Sequence, residues 1–261
     1  MTLRTISPIG TSLPVVWLLV AALIATVGCA SDDGGSETSE ITVSGHAFNF
    51  SMEGGRLAGG IVSVLELPER VTTTAADGGW RLSDLPANRD LTFVLTKDGW
   101  TTTQTATFRA DQDFDRVTFQ VPDTKVFALM AQFVDSTPDP TKCQLASTVT
   151  RRGHSVYDGS GTHGEPGATV TSEPPVKAEV GPVYFNLVTY NVIFPDPKLK
   201  ATSDDGGVVW ANVEPGEYVL HAHKDGATFE PVLVKCRPGV LVNPSPPRGL
   251  QVLSGGLEPK H

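Results

Sequence analysis

The chain contains the same short pattern twice, 128 positions apart. Residues 74–82 read TAADGGWRL and residues 202–210 read TSDDGGVVW, so each copy has a threonine, then Asp-Gly-Gly, then an apolar run. Farther along, Lys-Asp-Gly at 97–99 returns at 224–226, which requires one deleted residue in the second copy. Because several features recur in the same order, they indicate two copies of one module.

The Asp-Gly pair in each copy predicts a tight turn between two β-strands, because glycine adopts positive φ at little cost. Asp204, Asp205 and Gly206 also resemble the acidic centre of a calcium loop. Such a loop needs a glutamate at its twelfth position, where this chain has Pro215. The turn explains both copies, and it predicts that Asp205→Asn leaves stability nearly unchanged.

Strand signals dominate the chain beyond residue 40. Short runs rich in Val, Thr and Phe, such as ITVSGHAFNF and LTFVLT, are separated by Gly, Asp, Asn or Pro. No segment repeats apolar residues with helical spacing over three turns. Alternation predicts two core faces, one with Leu91, Phe93 and Leu95 and one with Tyr218, Leu220 and Ala222.

The run LAGGIVSVL, followed by TTTAADGGWRLSDLPANRDLTFVL, resembles the carboxypeptidase regulatory-like domain. Arg56–Gly60 corresponds to the family's Pro-Leu-Ala-Gly-Ala turn, and Trp80 to the aromatic residue after its hairpin. In the second copy Glu214–Tyr218 matches the family form most closely, and Glu165–Val170 corresponds to the early turn and strand. The resemblance covers residues 41–122 and 125–243. It implies prealbumin-like β-sandwiches of seven strands, used widely as non-catalytic units, and offers no catalytic residue.

We therefore expect an all-β chain of two tandem antiparallel β-sandwiches of prealbumin-like type. The expected segments are a signal peptide at 1–28, a flexible tether at 29–40, and sandwiches at 41–122 and 125–250.

The N-terminus predicts a lipoprotein signal peptide. An apolar run of 15 residues, Leu13–Val27, follows the single charge of Arg4 and is shorter than the roughly 18–20 residues that span a bilayer. The run leads into ATVGC, which resembles a bacterial lipobox ending at Cys29, with Thr26 where leucine is usual. The alternative is an ordinary signal peptide with an incidental cysteine.

Acylation of Cys29, including palmitate, would anchor the protein to a membrane without spanning it. Ala30 follows the cysteine, where an aspartate would favour retention in the inner membrane. We therefore expect the outer membrane in a Gram-negative host and the cell membrane otherwise.

The two remaining cysteines, Cys143 and Cys236, predict one disulfide, since the protein is expected to be exported. The bridge would close a loop of 93 residues. By chain entropy alone, such a closure adds about 4–5 kcal/mol to stability. Two free thiols are the alternative.

The charge argues against nucleic-acid binding, and no motif supports an enzyme. The 20 Lys and Arg residues are outnumbered by 29 Asp and Glu, giving a net charge of -9, whereas nucleic-acid binding needs a basic face. The chain has no H-E-x-x-H zinc motif and no G-x-S-x-G nucleophile elbow. We expect no enzymatic activity, no cofactor and no nucleic-acid partner.

Five residues are candidates for ligand contacts. Trp100 follows a turn, where we expect it to be exposed and able to stack on a sugar. His154 and His163 lie in a glycine-rich segment, 151–167, that is interpreted as a flexible connection. His221 and His223 are two apart on a strand and share the face opposite the core, so they are either solvated or part of a metal site that needs a third ligand.

These observations predict a non-enzymatic, lipid-anchored envelope protein that acts as a structural or protein-interaction module. One alternative is a carbohydrate-binding accessory lipoprotein, and a second is a metal-binding protein that uses the strand histidines. The expected partners are the membrane, through the anchor, and an envelope protein or a polysaccharide.

Overall fold

The computed structural model of the protein describes residues 39–50, 55–158, 163–188, 192–245 and 248–256. These residues belong to one compact unit. The predicted signal peptide and the predicted lipidation site, Cys29, lie outside the described residues. Among the described residues, no helix is long and apolar enough to cross a membrane.

The fold is all-β, as the sequence predicts. The first part of the chain forms the strands β1 (Glu40–Asn49), β2 (Ile61–Val64), β3 (Leu67–Thr73), β4 (Gly79–Pro86), β5 (Arg89–Thr96), β6 (Thr103–Ala110) and β7 (Phe114–Val121). After the helix α1 (Thr124–Phe133) come β8 (Cys143–Thr150), β9 (Thr169–Glu173), β10 (Val183–Val188), β11 (Val192–Asp196), β12 (Gly207–Val213), β13 (Gly216–His223), β14 (Ala227–Phe229), β15 (Val232–Cys236), β16 (Leu241–Val242) and β17 (Leu250–Gly255).

The first seven strands form two layers around one core. In one layer, β1 lies between β4, which is antiparallel to it, and β7, which is parallel. In the other, β5 lies between β2 and β6, and β3 pairs with β2. Leu91, Phe93 and Leu95 are fully buried between the layers, as their alternation predicts, and the ring of Trp80 packs 5.3 Å from that of Phe93.

The second part of the chain repeats this pairing around a second core. Here β8 lies between the antiparallel β12 and the parallel β16 and β17, while β13 lies between β9 and β15. Tyr218 and Leu220 are buried, and Ala222 packs against the same core. The hairpin β10–β11 extends the sheet beyond β12 and has no counterpart in the first sandwich.

The correspondence extends to single hydrogen bonds. Thr74 donates through Oγ1 to the carbonyl of Leu57 (2.7 Å) and accepts from the N–H of Gly60 (2.8 Å). Thr202 makes the equivalent bonds to the early turn of the second copy, at 2.6 and 2.9 Å. The two threonines therefore tie the same turn to the same hairpin in each sandwich.

A second correspondence lies in the backbone of β4 and β12. Asp84 and Asn212 both have φ of 56°, in the left-handed region that L-residues seldom adopt. Each residue lies where the pairing register shifts, between β4 and β1 or between β12 and β8. Such bulges bend a strand and re-aim its side chains.

The two sandwiches share a sheet, which the sequence does not anticipate. Strand β6 pairs with β5 in its own sandwich and also with β15 and β16 of the second. The side-chain amide of Gln104 donates to the carbonyl of Lys235 (2.9 Å) and accepts from Nε of Arg237 (2.8 Å). Lys235 also pairs with Glu66, with 2.8 Å between Nζ and Oε1. The joint is therefore a continuation of β-structure and not a flexible linker.

The predicted disulfide is confirmed. Cys143, at the start of β8, is joined to Cys236, at the end of β15, with 5.5 Å between their Cα atoms. Both cysteines are buried in the core of the second sandwich. The bridge therefore links strands from its two layers.

The helix α1 lies where the sequence analysis expects no helix. Asp123 precedes its first residue, and Oδ1 of Asp123 accepts from the N–H groups of Lys125 and Val126, both at 2.8 Å. This is a standard N-cap, which satisfies two of the unpaired donors of the first turn.

Candidate interaction site

Helix α1 is fixed at both of its ends. At its start, the N–H of Thr124 donates to the carbonyl of Gly99 (3.1 Å). Just beyond its end, Nδ2 of Asn212 donates to Oγ of Ser136 and to the carbonyl of Thr137, both at 3.0 Å. These bonds hold the two ends to different sandwiches, since Gly99 belongs to the first and Asn212 to the second.

Between these ends, none of the ten residues of α1 is buried. Three of its residues are polar and exposed, Thr124, Lys125 and Gln132, and Lys125 is its one charged residue. On its outer side Leu129 and Phe133 are 49% and 42% exposed, and the ring of Phe133 stacks on that of Phe194 at 5.0 Å. Exposed large apolar side chains next to each other on one helix are typical of interaction surfaces.

Strand β12, which lies beneath α1, is apolar on the side that faces the helix. In β12, Val208 and Trp210 are buried in the core, while Val209 and Ala211 point to the opposite face. Ala146 of β8 lies directly opposite Val209. A strand that is apolar on both faces requires a cover on both faces, and α1 covers the outer one.

A cavity of about 230 Å³ lies between α1 and this sheet. Its walls are mostly apolar and include Phe48, Phe127, Met130, Phe185, Ile193 and Val209. Among the described residues of its lining, His163 and Asp205 are titratable.

His163 and Asp205 are 5% and 6% exposed. Asp205 lies in the predicted turn, and its Oδ2 accepts from the N–H of Gly207 (3.0 Å). Burial raises the pKa of Asp205, although a charge on His163 and the bond from Gly207 oppose this shift. The sequence predicts the turn correctly but not the burial of its aspartate.

The described part of the segment around His154 is folded, and the expectation of a flexible connection is wrong for it. A 3₁₀ turn spans Val156–Asp158. Its Tyr157 ring packs under the guanidinium of Arg116, 4.6 Å from Cζ to the ring centre, and Arg116 also donates to Oγ of Ser155 (2.7 Å). His154 is half-buried beside Asp158, with 3.4 Å between Nδ1 and Oδ2. Arg116 belongs to β7, so these contacts pack the segment against the first sandwich.

Trp100 is less exposed than the sequence predicts. It is half-buried and packs against the core of the first sandwich. Its backbone bridges to Asp123, the N-cap of α1. The tryptophan therefore helps to seat the start of the helix, and a role in sugar stacking stays a prediction.

His221 and His223 share one face of β13, as predicted. Their ring centres are 6.4 Å apart, and Nε2 of His223 lies 2.9 Å from Oγ1 of Thr171. Nε2 of His221 lies 3.8 Å from Oε2 of Glu173. Within the described ranges, no three His, Cys, Asp or Glu side chains are grouped so as to hold a metal ion.

Comparison with known proteins assigns no family. No protein-family model matches the chain, and no curated protein matches it. Among solved structures, the TIE protein of Bacillus anthracis is similar with a TM-score of 0.25 and 12% identity, over 78% of this chain and 33% of that protein. This chain thus spans about a third of that protein's length.

Two pilin structures show comparable likeness. The minor pilin of Streptococcus agalactiae has a TM-score of 0.27 and 10% identity, over 86% of this chain and 100% of the pilin. A streptococcal ancillary pilin has a TM-score of 0.24 and 14% identity, over 80% of this chain and 62% of the pilin. Scores this low transfer neither function nor details of fold.

Proposed function

We propose that this protein is a non-enzymatic, lipid-anchored envelope protein that contacts a protein partner through the outer side of helix α1. The observation that supports this most strongly is the helix itself. It is held at both ends, buries none of its residues, and presents Leu129 and Phe133 to solvent. Interface centres are typically rich in aromatic residues and poor in charge, and apolar helix faces commonly dock into grooves.

The shared sheet supports the same proposal. Because β6 joins the two sandwiches, the two ends of α1 are held by parts of one compact unit. A surface helix that keeps its position loses little conformational freedom on binding, and binding then costs less. Acylation at Cys29 and the polar tether would hold this unit close to the membrane.

A crosslinking pull-down from the native membrane tests the contact. The lipidated protein is crosslinked and purified, and the captured protein and glycan are quantified for the wild type and for Leu129→Glu/Phe133→Glu. The control is Ile61→Glu/Val71→Glu, which changes side chains that are 52% and 56% exposed on β2 and β3. Interface hot spots contribute about 2 kcal/mol or more. We therefore expect the helix variant to capture at least about tenfold less of one dominant protein than the wild type does, and the control variant to capture as much as the wild type.

Two results would contradict the proposal. Equal capture by the helix variant and the wild type would exclude α1 as the contact surface. Polysaccharide captured in place of a protein would favour the carbohydrate-binding alternative.

The anchor is tested separately. Two or three acyl chains on Cys29 would give stable attachment to the membrane. We therefore expect Cys29→Ser to move the protein from the membrane fraction to the soluble fraction and to remove the mass of the acyl chains. A variant that stays in the membrane with unchanged mass would show that Cys29 is not the lipidation site.

A further inference from the structure

We propose that the cavity beneath α1 binds a small, mostly apolar molecule of one or two aromatic rings, with a polar N–H or O–H group directed at His163 and Asp205. This site requires neither the lipid anchor nor a protein partner, so it stands apart from the proposed function.

The cavity exists because of how the helix is held. Protein interiors are close-packed, and voids much larger than a water molecule are few. Here the bonds from Gly99 and Asn212 fix the ends of α1, while its middle spans the outer face of β8 and β12 without burying a residue. A space of about 230 Å³ remains between them. An apolar cavity of about 150 Å³ holds benzene, so this one accommodates a somewhat larger ring system.

Side-chain sizes define the shape of the cavity. Small residues, Ala146 and Ala211, lie on the floor formed by the sheet, and Ala131 lies on the helix above. Larger side chains, Phe127 and Met130, extend down from the helix to form a wall. Methionine adapts its shape to irregular partners, which suits a site that closes around a ligand.

The lining of the cavity includes polar groups that can form hydrogen bonds with a ligand. A carboxylate offers about four acceptor positions, and Gly207 is the backbone donor at 3.0 Å from Oδ2 of Asp205. Gln144, another polar residue of the lining, is engaged with Asn212 through two bonds of 2.7 and 2.9 Å. The lining also includes Asn49, whose buried Oδ1 has no hydrogen-bond partner among the described residues. A donor on the ligand therefore meets acceptors at Asp205, beside His163, and at Asn49.

The dimensions favour a small molecule over a segment of a partner protein. A helix with its side chains is about 10–12 Å across, and α1 already occupies the position that such a helix would take. A protein partner therefore meets the outer side of α1, and a small molecule takes the inner side.

Ligand-observed fluorine NMR on the full-length lipidated protein in lipid nanodiscs tests the site with 5-fluoroindole as the probe. Empty nanodiscs correct for partitioning into lipid. We expect saturable binding by the wild type. Ala131→Phe places a ring inside the cavity and should weaken binding at least about tenfold, corresponding to the loss of a buried contact. Ala128→Phe is the matched control, since Ala128 is exposed on the same helix, and should retain the wild-type affinity.

A second variant and a second probe keep the result decisive. Ala146→Leu fills the cavity from the sheet and should also abolish binding, and thermal unfolding establishes that each variant is folded.

1-Fluoronaphthalene has a similar size but no hydrogen-bond donor. It should bind with an affinity at least about threefold lower than that of the indole, because one hydrogen bond is lost. The site is refuted if the wild type shows no saturable binding, or if Ala131→Phe and Ala146→Leu leave it unchanged. Equal affinity for both probes would refute the hydrogen bond to the lining.

Discussion

Asp77 and Asp205 occupy the same turn in the two sandwiches, but only Asp205 is buried. Each carboxylate accepts from the N–H two residues later, at 2.9 Å from Gly79 and 3.0 Å from Gly207. The turn was predictable because it depends on four adjacent residues. The burial was not, because it depends on the segment that contains His163 and Gly164, which reaches the turn only through the fold; the N–H of Gly164 donates to the carbonyl of Asp204 at 3.0 Å.

The stability that depends on Asp205 should change with pH. Burial raises its pKa above the ordinary value of 3.8, so the folded state keeps the proton to a higher pH than the unfolded state. This contribution is fully present below pH 3.8 and is lost as the pH rises through the raised pKa. Urea unfolding of the wild type and Asp205→Asn, from below pH 3.8 to neutrality, should show the wild type losing stability relative to the variant.

This expectation replaces the nearly neutral effect predicted from the turn alone. Asp77→Asn is the matched control, since Asp77 occupies the equivalent turn and is exposed. The same pH dependence in both pairs of proteins would show that burial of Asp205 is not its cause.

Tyr184 illustrates a second effect of burial at the residue scale. Its hydroxyl accepts from the N–H of Val170 at 3.0 Å, and both residues are buried. Tyr184→Phe leaves that N–H without a partner, which should reduce the free energy of unfolding by about 1–3 kcal/mol. Tyr218→Phe should have a smaller effect in the same denaturation assay, because its hydroxyl donates to the carbonyl of the exposed Glu214. An equal or larger loss for Tyr218→Phe would contradict this.

At the scale of elements, the strands were predictable and α1 was not. Alternation identified the buried faces of β5 and β13 because a strand with one solvated face repeats every two residues. The helix TKVFALMAQF is shorter than three turns, and its outer face mixes polar Lys125 and Gln132 with apolar Leu129 and Phe133. The apolar periodicity that identifies a helix is therefore weak. Two signals were available: Asp123 as an N-cap, and the run GVVWANV in β12, which is apolar on both faces and therefore implies a second cover.

Asn212 should control the C-terminal end of α1. Its side chain makes the bonds to Ser136 and Thr137 and accepts from the N–H of Asp139 at 2.8 Å. Asn212→Gly and Asn212→Ala both remove these bonds, so amide exchange at 131–137 should accelerate in both variants. Asn212→Ala should be less stable than Asn212→Gly by about 1–2 kcal/mol, because alanine is strained at a φ of 56° and glycine is not.

The comparison of the two variants separates the bonds from the backbone conformation. Wild-type exchange rates at 131–137 in Asn212→Gly would show that the side chain does not fix the helix. Equal stability of the two variants would show that the left-handed conformation is not maintained in solution.

At the scale of the whole molecule, the disulfide could be predicted from the sequence and the shared sheet could not. Two cysteines beyond the expected lipidation site, in a chain that is expected to be exported, have one obvious pairing. In contrast, TQTAT in β6 looks like a solvated strand, yet all five residues are buried where the sandwiches meet. Gln104 finds its side-chain partners in the second sandwich. The hydroxyls of Thr103, Thr105 and Thr107 bond instead to groups of the first sandwich.

The disulfide should stabilise the second sandwich. Replacing Cys143 and Cys236 together by alanine should lower the free energy of unfolding by about 2–5 kcal/mol, since the bridge closes a loop of 93 residues. Chemical denaturation under non-reducing conditions measures the loss, and reduction of the wild type should reproduce it. A double variant as stable as the oxidised wild type would contradict this.

Amide hydrogen exchange on the full-length protein tests whether the two sandwiches form one rigid body that holds α1 in place. Strand β6 and residues 241–243 form the joint, where the N–H of Asn243 donates to the carbonyl of Gln104 at 2.7 Å. We expect these amides to exchange only through global unfolding, together with the cores of both sandwiches. If the joint exchanges through a local opening that requires less free energy than global unfolding, while both cores stay protected, the sandwiches are two independent domains and not one rigid body.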